Sequence, residues 1–260
     1  EGYAAQEQLV GGVETLFKTS SDTVVGYAND AYKTAGMSAN EYMETVTSFS
    51  ASLLASMNND TAAAAEKANV AITDMSDNAN KMGTDISLIQ NAYNGFAKQN
   101  YTMLDNLKLG YGGTKEEMQR LLDDASKLSG IKYDISSYSD IVDAIHVVQT
   151  EMDITGTTAK EASTTIEGSV SSMSSAWDNW VAGMADSEAN FSQLTSNLVD
   201  SIVTVVGNIA PRVIETVPRL VSGLGEIVEQ LATYIPQVIQ ELLPPLMSGV
   251  QDLLNTLVGM

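Results

Sequence analysis

The sequence has 260 residues with 33 acidic and 13 basic side chains, a net charge of -20, no cysteine and only 6% aromatic residues. A chain this acidic, without a cluster of Lys and Arg, does not offer the surface that nucleic acids require, and an anionic lipid surface would repel it. The lack of cysteine excludes disulfides, thiolate catalysis and Cys-ligated metals. With 44% hydrophobic residues and few aromatics, an aliphatic core of packed helices is favoured over a β-sandwich or barrel.

Helix start and stop signals recur along the chain, and no segment shows the alternation of a strand, so we predict an all-α fold without a sheet. Three hydroxyl residues are each followed three positions later by Glu, the capping-box pattern of a helix start. These pairs are Ser38 with Glu41, Thr114 with Glu117, and Thr158 with Glu161. Glycines that favour helix ends lie at Gly36, Gly110 to Gly113, Gly130 and Gly156.

In chain order we predict four segments: an N-terminal helical segment at 1–37, a compact helical core unit at 38–132, a helical connector at 133–190, and apolar amphipathic helices at 191–260. Within the core unit, apolar residues from Ala65 to Ile89 alternate three and four apart, which predicts a helix with a heptad face. Gly83 lies inside this run, so a local kink is expected there.

The connector contains two predicted helices. The first runs from Ser137 to about Ile154. The second follows Thr158, and its apolar side consists of Ile166, Val170, Met173, Trp177, Trp180 and Met184. Trp177 and Trp180 share a face with Met173 and Met184, and we expect this face to be buried against a neighbouring helix, with a lipid interface as the alternative.

The last segment carries an apolar residue at nearly every helical contact position, in a repeat of eleven. Eleven residues over three turns give about 3.67 residues per turn, so these side chains stay on one face of a helix. We interpret this face as a contact surface for a partner helix, another copy of the chain or a membrane. Its residues are Leu198, Ile202, Val206, Ile209, Val213, Val217, Leu220, Leu224, Val228, Leu231, Ile235, Ile239, Leu242, Leu246, Val250, Leu253 and Leu257.

Prolines divide this apolar segment, and we therefore predict successive short or kinked helices rather than one rod. They are Pro211, Pro218, Pro236, Pro244 and Pro245. The charge-free windows at 201–211 and 230–240 hold eleven residues each, too few for a conventional transmembrane helix of about 20 residues. The sequence starts at Glu1 without an initiator Met or a signal segment, so we expect it to be part of a longer polypeptide.

No residue pattern predicts catalysis, a cofactor or a metal site. His146 is the only histidine; Asp140 and Asp143 lie near it in sequence, but no nucleophile motif accompanies it, and a structural or solvated role is favoured. The glycine run at 110–113 lacks the order of a P-loop and is interpreted as a loop that ends in a Thr114 helix cap. The acidic pairs at 116–117 and 123–124 are typical of solvated helix faces.

Longer stretches of the chain closely resemble tail tape-measure proteins of long-tailed phages and prophages of Firmicutes, the phage minor tail protein family. The resemblance covers essentially the whole chain, including the proline-punctuated segment. The stretches that carry it are Gln8 to Phe17, Ala35 to Val46, Asp74 to Thr84, Gly95 to Thr114, Ala144 to Val148, and Ser175 to Trp180.

The resemblance implies a virion structural protein, not an enzyme, that runs along the tail-tube lumen, sets tube length during assembly and assists genome delivery across the host envelope. The implied partners are tail-tube subunits, tail assembly chaperones and other copies of the chain, with the host membrane as a further partner during ejection. It places the protein in the tail-tube lumen and, during assembly, in the bacterial cytoplasm. As a continuous helix, 260 residues would span about 390 Å.

Two alternatives share some of these features. A membrane-lytic or pore-forming helical protein acting through residues 194–260 would share the apolar segment. A signalling coiled coil would share the Ala-rich heptads, but it should extend them much further and lack the prolines.

Overall fold

A computed structural model describes the backbone of residues 2–186 and 189–231 and the side-chain burial of residues 6–186 and 189–215. The described chain is helical without a strand, which confirms the all-α prediction. The helices are α1 Gly2–Phe17, α2 Ser21–Thr34, α3 Ala39–Ser56, α4 Thr61–Met82, α5 Ile86–Ala97, α6 Lys115–Ser129, α7 Tyr138–Glu151, α8 Thr157–Thr164, α9 Ile166–Met184 and α10 Phe191–Leu231. Short 3-10 helices occur at Lys18–Ser20 and Leu104–Leu107.

The chain divides into two units, Glu1–Asn208 and Ile209–Met260. Within the first unit, one hydrophobic core extends in sequence from Val13 to Ile154. It therefore draws on the N-terminal segment, the core unit and the first part of the connector together. Its largest fully buried side chains include Tyr42, Tyr93 and Phe49.

Helix α4 is central to this core and contacts α3, α5, α7 and α8. Four alanines, Ala64, Ala65, Ala68 and Ala71, are fully buried along it, and their small side chains allow neighbouring helices to approach closely. The predicted helix from Ala65 to Ile89 is interrupted, because α4 ends at Gly83, whose φ of 68° places it in the left-handed region. A glycine adopts this conformation without the steric penalty of a Cβ and so ends the helix instead of kinking it.

The three predicted capping boxes have different outcomes. Ser38 and Glu41 form a complete box, in which each side chain binds the other's backbone amide. Thr114 caps α6 by accepting from the Glu117 amide. The Glu117 carboxylate instead accepts from the amide of Gly112 and pairs with Arg120, so only half of this second box forms.

The third predicted box, Thr158 with Glu161, is wrong. Helix α8 begins one residue before Thr158, at Thr157, with Gly156 as its N-cap residue at φ 85°. The amide of Thr158 donates to Asp77 Oδ1 on α4 at 2.9 Å, so the cap comes from a carboxylate distant in sequence.

Helix α10 stays helical through Pro211 and Pro218, so separate short helices do not form at these two prolines. A proline removes a single amide donor and strains the preceding turn, at about 3 kcal/mol, and the helix of 41 residues retains its other hydrogen bonds on both sides. The remaining prolines, Pro236, Pro244 and Pro245, lie outside the described residues.

Candidate interaction surface and buried polar centre

Helix α9 packs into the first unit through small polar residues instead of its apolar side. Its buried positions recur at helical spacing along one side, and Asn179 among them accepts a hydrogen bond from the Ala39 amide at the start of α3, at 2.7 Å. They are Ser169, Ser172, Ser175, Ala176, Asn179 and Gly183. Gly168 lies so close to α8 that a Cβ there would be 2.4 Å from the backbone of Glu161.

The expectation that the face of Trp177 and Trp180 is buried against a neighbouring helix is therefore wrong for Trp177 and Met184. Met173 and Trp180 pack partly against a small cluster formed by Tyr32, Ala176 and Leu198. The other residues predicted for this side are exposed, with Trp177 at 52% of its surface. The exposed apolar residues of α9 are Ile166, Val170, Trp177, Val181 and Met184.

Three aromatic rings connect α9 to the start of α10. The rings of Trp177 and Trp180 are 5.4 Å apart, and those of Trp180 and Phe191 are 5.3 Å apart. The indole Nε1 of Trp180 donates to Thr195 Oγ1 at 3.0 Å, which fixes its orientation. Two of the rings, Trp177 and Phe191, are exposed, so this row offers aromatic area at the surface.

Helix α10 buries one side and exposes another. Leu198, Ser201 and Val205 are buried, whereas the apolar residues on the exposed side are Val199, Ile202, Val203 and Val206. Together with the exposed apolar residues of α9, these four side chains are called the α9–α10 surface below.

The structure describes the burial of only part of the predicted contact face of the eleven-residue repeat. Leu198 packs inside the first unit, Ile209 is half-buried, and Ile202, Val206 and Val213 are exposed. Val217, Leu220, Leu224, Val228 and Leu231 belong to helix α10, but their side chains lie outside the described residues. Ile235, Ile239, Leu242, Leu246, Val250, Leu253 and Leu257 also lie outside them.

In the described part of the chain, the segment Phe191–Glu215 is long and apolar enough to cross a membrane by length and composition alone, and a window of 18 residues within it reaches a mean hydropathy of 1.2. The prediction of no conventional transmembrane helix rests on windows without any charge. Asp200, Arg212 and Glu215 interrupt such a window, whereas the window that reaches this hydropathy tolerates up to two charged residues.

A second feature is a polar centre on the buried side of α4. Asp74 is 1% exposed, and both of its carboxylate oxygens lie 3.0 Å from Nδ1 of His146 on α7. Burial raises the pKa of the Asp74 carboxyl to about 6, although the hydrogen bond to His146 opposes this. The same hydrogen bond raises the pKa of His146 above its ordinary value.

Two further residues complete the polar centre. Asn78 is fully buried and donates to Gln149 Oε1 at 2.7 Å and to the Leu107 carbonyl at 2.9 Å. The fully buried carboxylate of Asp77 accepts from the amides of Gly156, at 2.7 Å, and Thr158. The polar centre therefore joins α4 to α7 and to the start of α8.

The structure favours a structural role for His146, as the sequence analysis did, but with a partner that it missed. The histidine pairs with Asp74, whereas the nearby Asp143 pairs with Lys67. Among the described residues, no hydroxyl group bonds to the His146 ring, so the aspartate-histidine pair lacks the nucleophile of a catalytic triad.

The other candidates take structural roles too. In the glycine run, a Cβ at Gly113 would be 2.3 Å from the Thr102 carbonyl oxygen, so close packing of the loop requires glycine there. Asp124 accepts hydrogen bonds from Tyr111 and Lys127 at the helix surface. The described residues contain no group of three or more potential metal ligands.

Comparisons with known protein families, curated proteins and solved structures find no match to this chain.

Proposed function

We propose that this protein is a structural component of a phage tail, a tape measure that sets the length of the tail tube during assembly and assists genome delivery. Its partners would be tail-tube subunits, tail assembly chaperones and other copies of itself. It would lie in the tube lumen of the virion and in the bacterial cytoplasm during assembly. The sequence resemblance supplies this context, and the α9–α10 surface is the observation that carries an assembly role.

The α9–α10 surface supports association because apolar side chains gain free energy when they leave water. Large exposed apolar patches on soluble proteins usually mark sites of interaction with proteins or membranes. On α10 the exposed valines and Ile202 follow helical spacing, the arrangement of a face that packs on a partner helix. The net charge of -20 opposes unspecific aggregation, so association requires a matching partner surface.

A length-setting role makes a quantitative prediction for the virion. Duplication of residues 198–230 adds three eleven-residue repeats, and 33 helical residues add about 50 Å at 1.5 Å per residue. We expect tails to lengthen by this amount in electron micrographs of phage that carries the duplication. Synonymous recoding of the same segment should leave the tail length unchanged, and an unchanged length in the duplicated variant would refute the tape-measure proposal.

The α9–α10 surface is tested with the purified chain. Ile202→Asp with Val206→Asp places two charges on the exposed side of α10 and should abolish self-association in sedimentation velocity. Ser192→Asp with Ser196→Asp is the matched control, since these exposed residues have the same spacing and the change adds the same charge. Equal self-association of both double variants would show that copies do not meet through this surface.

A membrane-lytic function is the second candidate, and the composition of Phe191–Glu215 favours it. The test is dye release from neutral phosphatidylcholine vesicles, because anionic lipids would repel this chain. A lytic protein should release dye, and Ile202→Asp with Val206→Asp should prevent release. No release from the unaltered chain would contradict this candidate.

A further inference from the structure

A large groove opens in the first unit on the side formed by α3, α4, α5, α8 and α9. Its volume is about 890 Å³, within the range of small-molecule sites. The turn before α3, which contains Gly36, forms one end of it. No residue of the polar centre around Asp74 lines the groove, although its neighbour Ser76 does.

The walls of the groove are negatively charged. Four glutamates line it, Glu41 and Glu44 on α3, Glu161 on α8 and Glu167 on α9, and its lining contains no Lys, Arg or His. Two of the four glutamates already have hydrogen-bond partners within the protein, since Glu41 accepts from the Ser38 amide and Glu161 accepts from Asn80. In the described part of the chain, the side chains of Glu44 and Glu167 have no hydrogen bond or ion pair. The groove therefore attracts cations and repels anions.

Two unpaired hydroxyl groups at the groove are evidence for a ligand that is separate from the charge of the glutamates. Ser76 is only 5% exposed, and its buried Oγ has no hydrogen-bond partner. The buried Oγ1 of Thr158 also lacks a partner, and both residues line the groove. Buried polar groups in folded proteins are almost always paired. Five buried side-chain atoms of the described residues lack a partner, and two of the five belong to residues that line this groove. Each therefore keeps an unused capacity to accept a hydrogen bond.

The arrangement fits an extended organic cation better than a metal ion. No three carboxylate or imidazole groups in the described chain converge as a metal site requires. The glutamates instead lie on three helices, and aliphatic side chains lie among them, including Ala79, Ile86 and Ala162. A chain of methylene groups that carries ammonium groups offers charges for the carboxylates and apolar surface for the aliphatic side chains.

We propose that this groove binds organic ammonium groups, which a free polyamine or the lysine side chains of a partner segment can supply. The ammonium groups pair with Glu44 and Glu167 and donate to the hydroxyls of Ser76 and Thr158. The methylene spacers pack on the aliphatic side chains.

The test is titration calorimetry of the full chain with two probes, spermidine and tetralysine, at low and at physiological salt. Saturable binding of spermidine alone assigns the site to a free amine, binding of tetralysine alone to a peptide, and binding of both to the shared ammonium chemistry. Failure of both probes to bind saturably overturns the proposal. Fully acetylated tetralysine, which has no side-chain charge, should not bind.

Variants separate the groove from general attraction to an acidic protein. Glu44→Gln with Glu167→Gln should weaken binding about fivefold, since each pair is partly exposed to solvent. The matched control is Glu14→Gln with Glu116→Gln, which removes the same charge at exposed positions outside the groove and should leave affinity within a factor of two. Equal weakening by both double variants means unspecific attraction and overturns the proposal.

Ser76→Ala tests the hydroxyl contact and provides a stability readout at once. It should weaken binding about threefold through the lost acceptor. It should also leave the melting temperature unchanged or higher, because an unpaired buried hydroxyl is removed. Unchanged affinity in this variant would show that Ser76 takes no part and would overturn the hydroxyl contact.

Discussion

The capping of α8 by Asp77 leads to the sharpest stability prediction. This carboxylate is fully buried on α4, yet it accepts from two amides at the start of another helix, those of Gly156 and Thr158. We predict that Asp77→Ala lowers the free energy of unfolding by about 3–4 kcal/mol. The substitution removes the acceptor and leaves both donors in place, which is the unfavourable way to break a buried hydrogen bond.

The magnitude follows from the two contacts. A hydrogen bond to a charged group contributes about 1.5–3 kcal/mol, so two of them contribute about 3–6 kcal/mol. The favourable position of a carboxylate at a helix N-terminus adds about 0.3–1 kcal/mol. Water that reaches the exposed Gly156 can bind one freed amide and recover part of this loss. The net value therefore lies near the lower end of the sum.

The assay is urea unfolding followed by circular dichroism, with Asp60→Ala as the matched control. Asp60 caps α4 locally and is exposed, accepting from the Ala63 amide at 3.1 Å. The loss of such a cap costs about 1 kcal/mol. If Asp77→Ala costs no more than Asp60→Ala, the long-range cap does not stabilise the fold as argued. Asp77→Asn keeps one acceptor oxygen and should fall between the two.

Two further predictions concern packing and pH. Gly168→Ala should destabilise the fold by about 2–3 kcal/mol in the same assay, because its Cβ would overlap the α8 backbone, whereas Gly26→Ala on the open side of α2 should stabilise it by about 0.5–1 kcal/mol. A cost for Gly168→Ala no larger than 0.5 kcal/mol would contradict the close approach of α8 and α9. The pKa of both Asp74 and His146 is raised in the folded state, so the folded protein binds more protons than the unfolded chain, and stability should fall as pH rises from about 4 through 6 and on through the pKa of His146. Unfolding measured from pH 4.5 to 8 should show this fall, and Asp74→Asn with His146→Gln should reduce it; equal slopes in both proteins would refute the linkage.

Local signals in the sequence predict local structure where no distant group competes for the same atoms. The Ser38–Glu41 box is correct because both partners lie within one helical turn, and the cap needs nothing from the rest of the chain. The box at Thr158 failed because a buried carboxylate 81 positions earlier in the chain competes for the same amide. A capping-box pattern, which spans four positions, contains no information about that distant residue.

The polar centre on α4 could not be found by searching for apolar periodicity. Asp74, Asp77 and Asn78 are polar residues on the buried side of their helix, and their partners on α7 and at the start of α8 lie 71 to 81 positions away in sequence. Once α7 and the start of α8 pack on α4, the carboxylates of Asp74 and Asp77 and the amide nitrogen of Asn78 are paired, which offsets the cost of their burial. The buried Oδ1 of Asn78 has no hydrogen-bond partner. The sequence shows the residues, but only the tertiary fold supplies the partners.

Helix α9 did contain a readable signal for its buried side. Ser169, Ser172, Ala176, Asn179 and Gly183 follow a three-four alternation as regular as that of the apolar residues. The apolar residues of α9 were expected to face the core, because the burial of apolar area usually contributes most to helix packing. In α9 the small side chains determine which side is buried, because Gly168 allows the backbone of α8 to approach closely. On the same side, Asn179 accepts from an amide at the start of α3.

This attachment has a consequence for how the unit presents its apolar residues. If a helix packed on the core through its apolar side, exposing that side to bind a partner would cost about 25 cal/mol for each Å² of apolar area. Because α9 is held by small residues, close backbone approach and a buried hydrogen bond, its apolar side is free without any rearrangement of the core. The same holds for α10, whose Leu198 and Val205 anchor it while Ile202 and Val206 face solvent. The two helices thus separate the contacts that hold the unit together from the surface that is available to a partner.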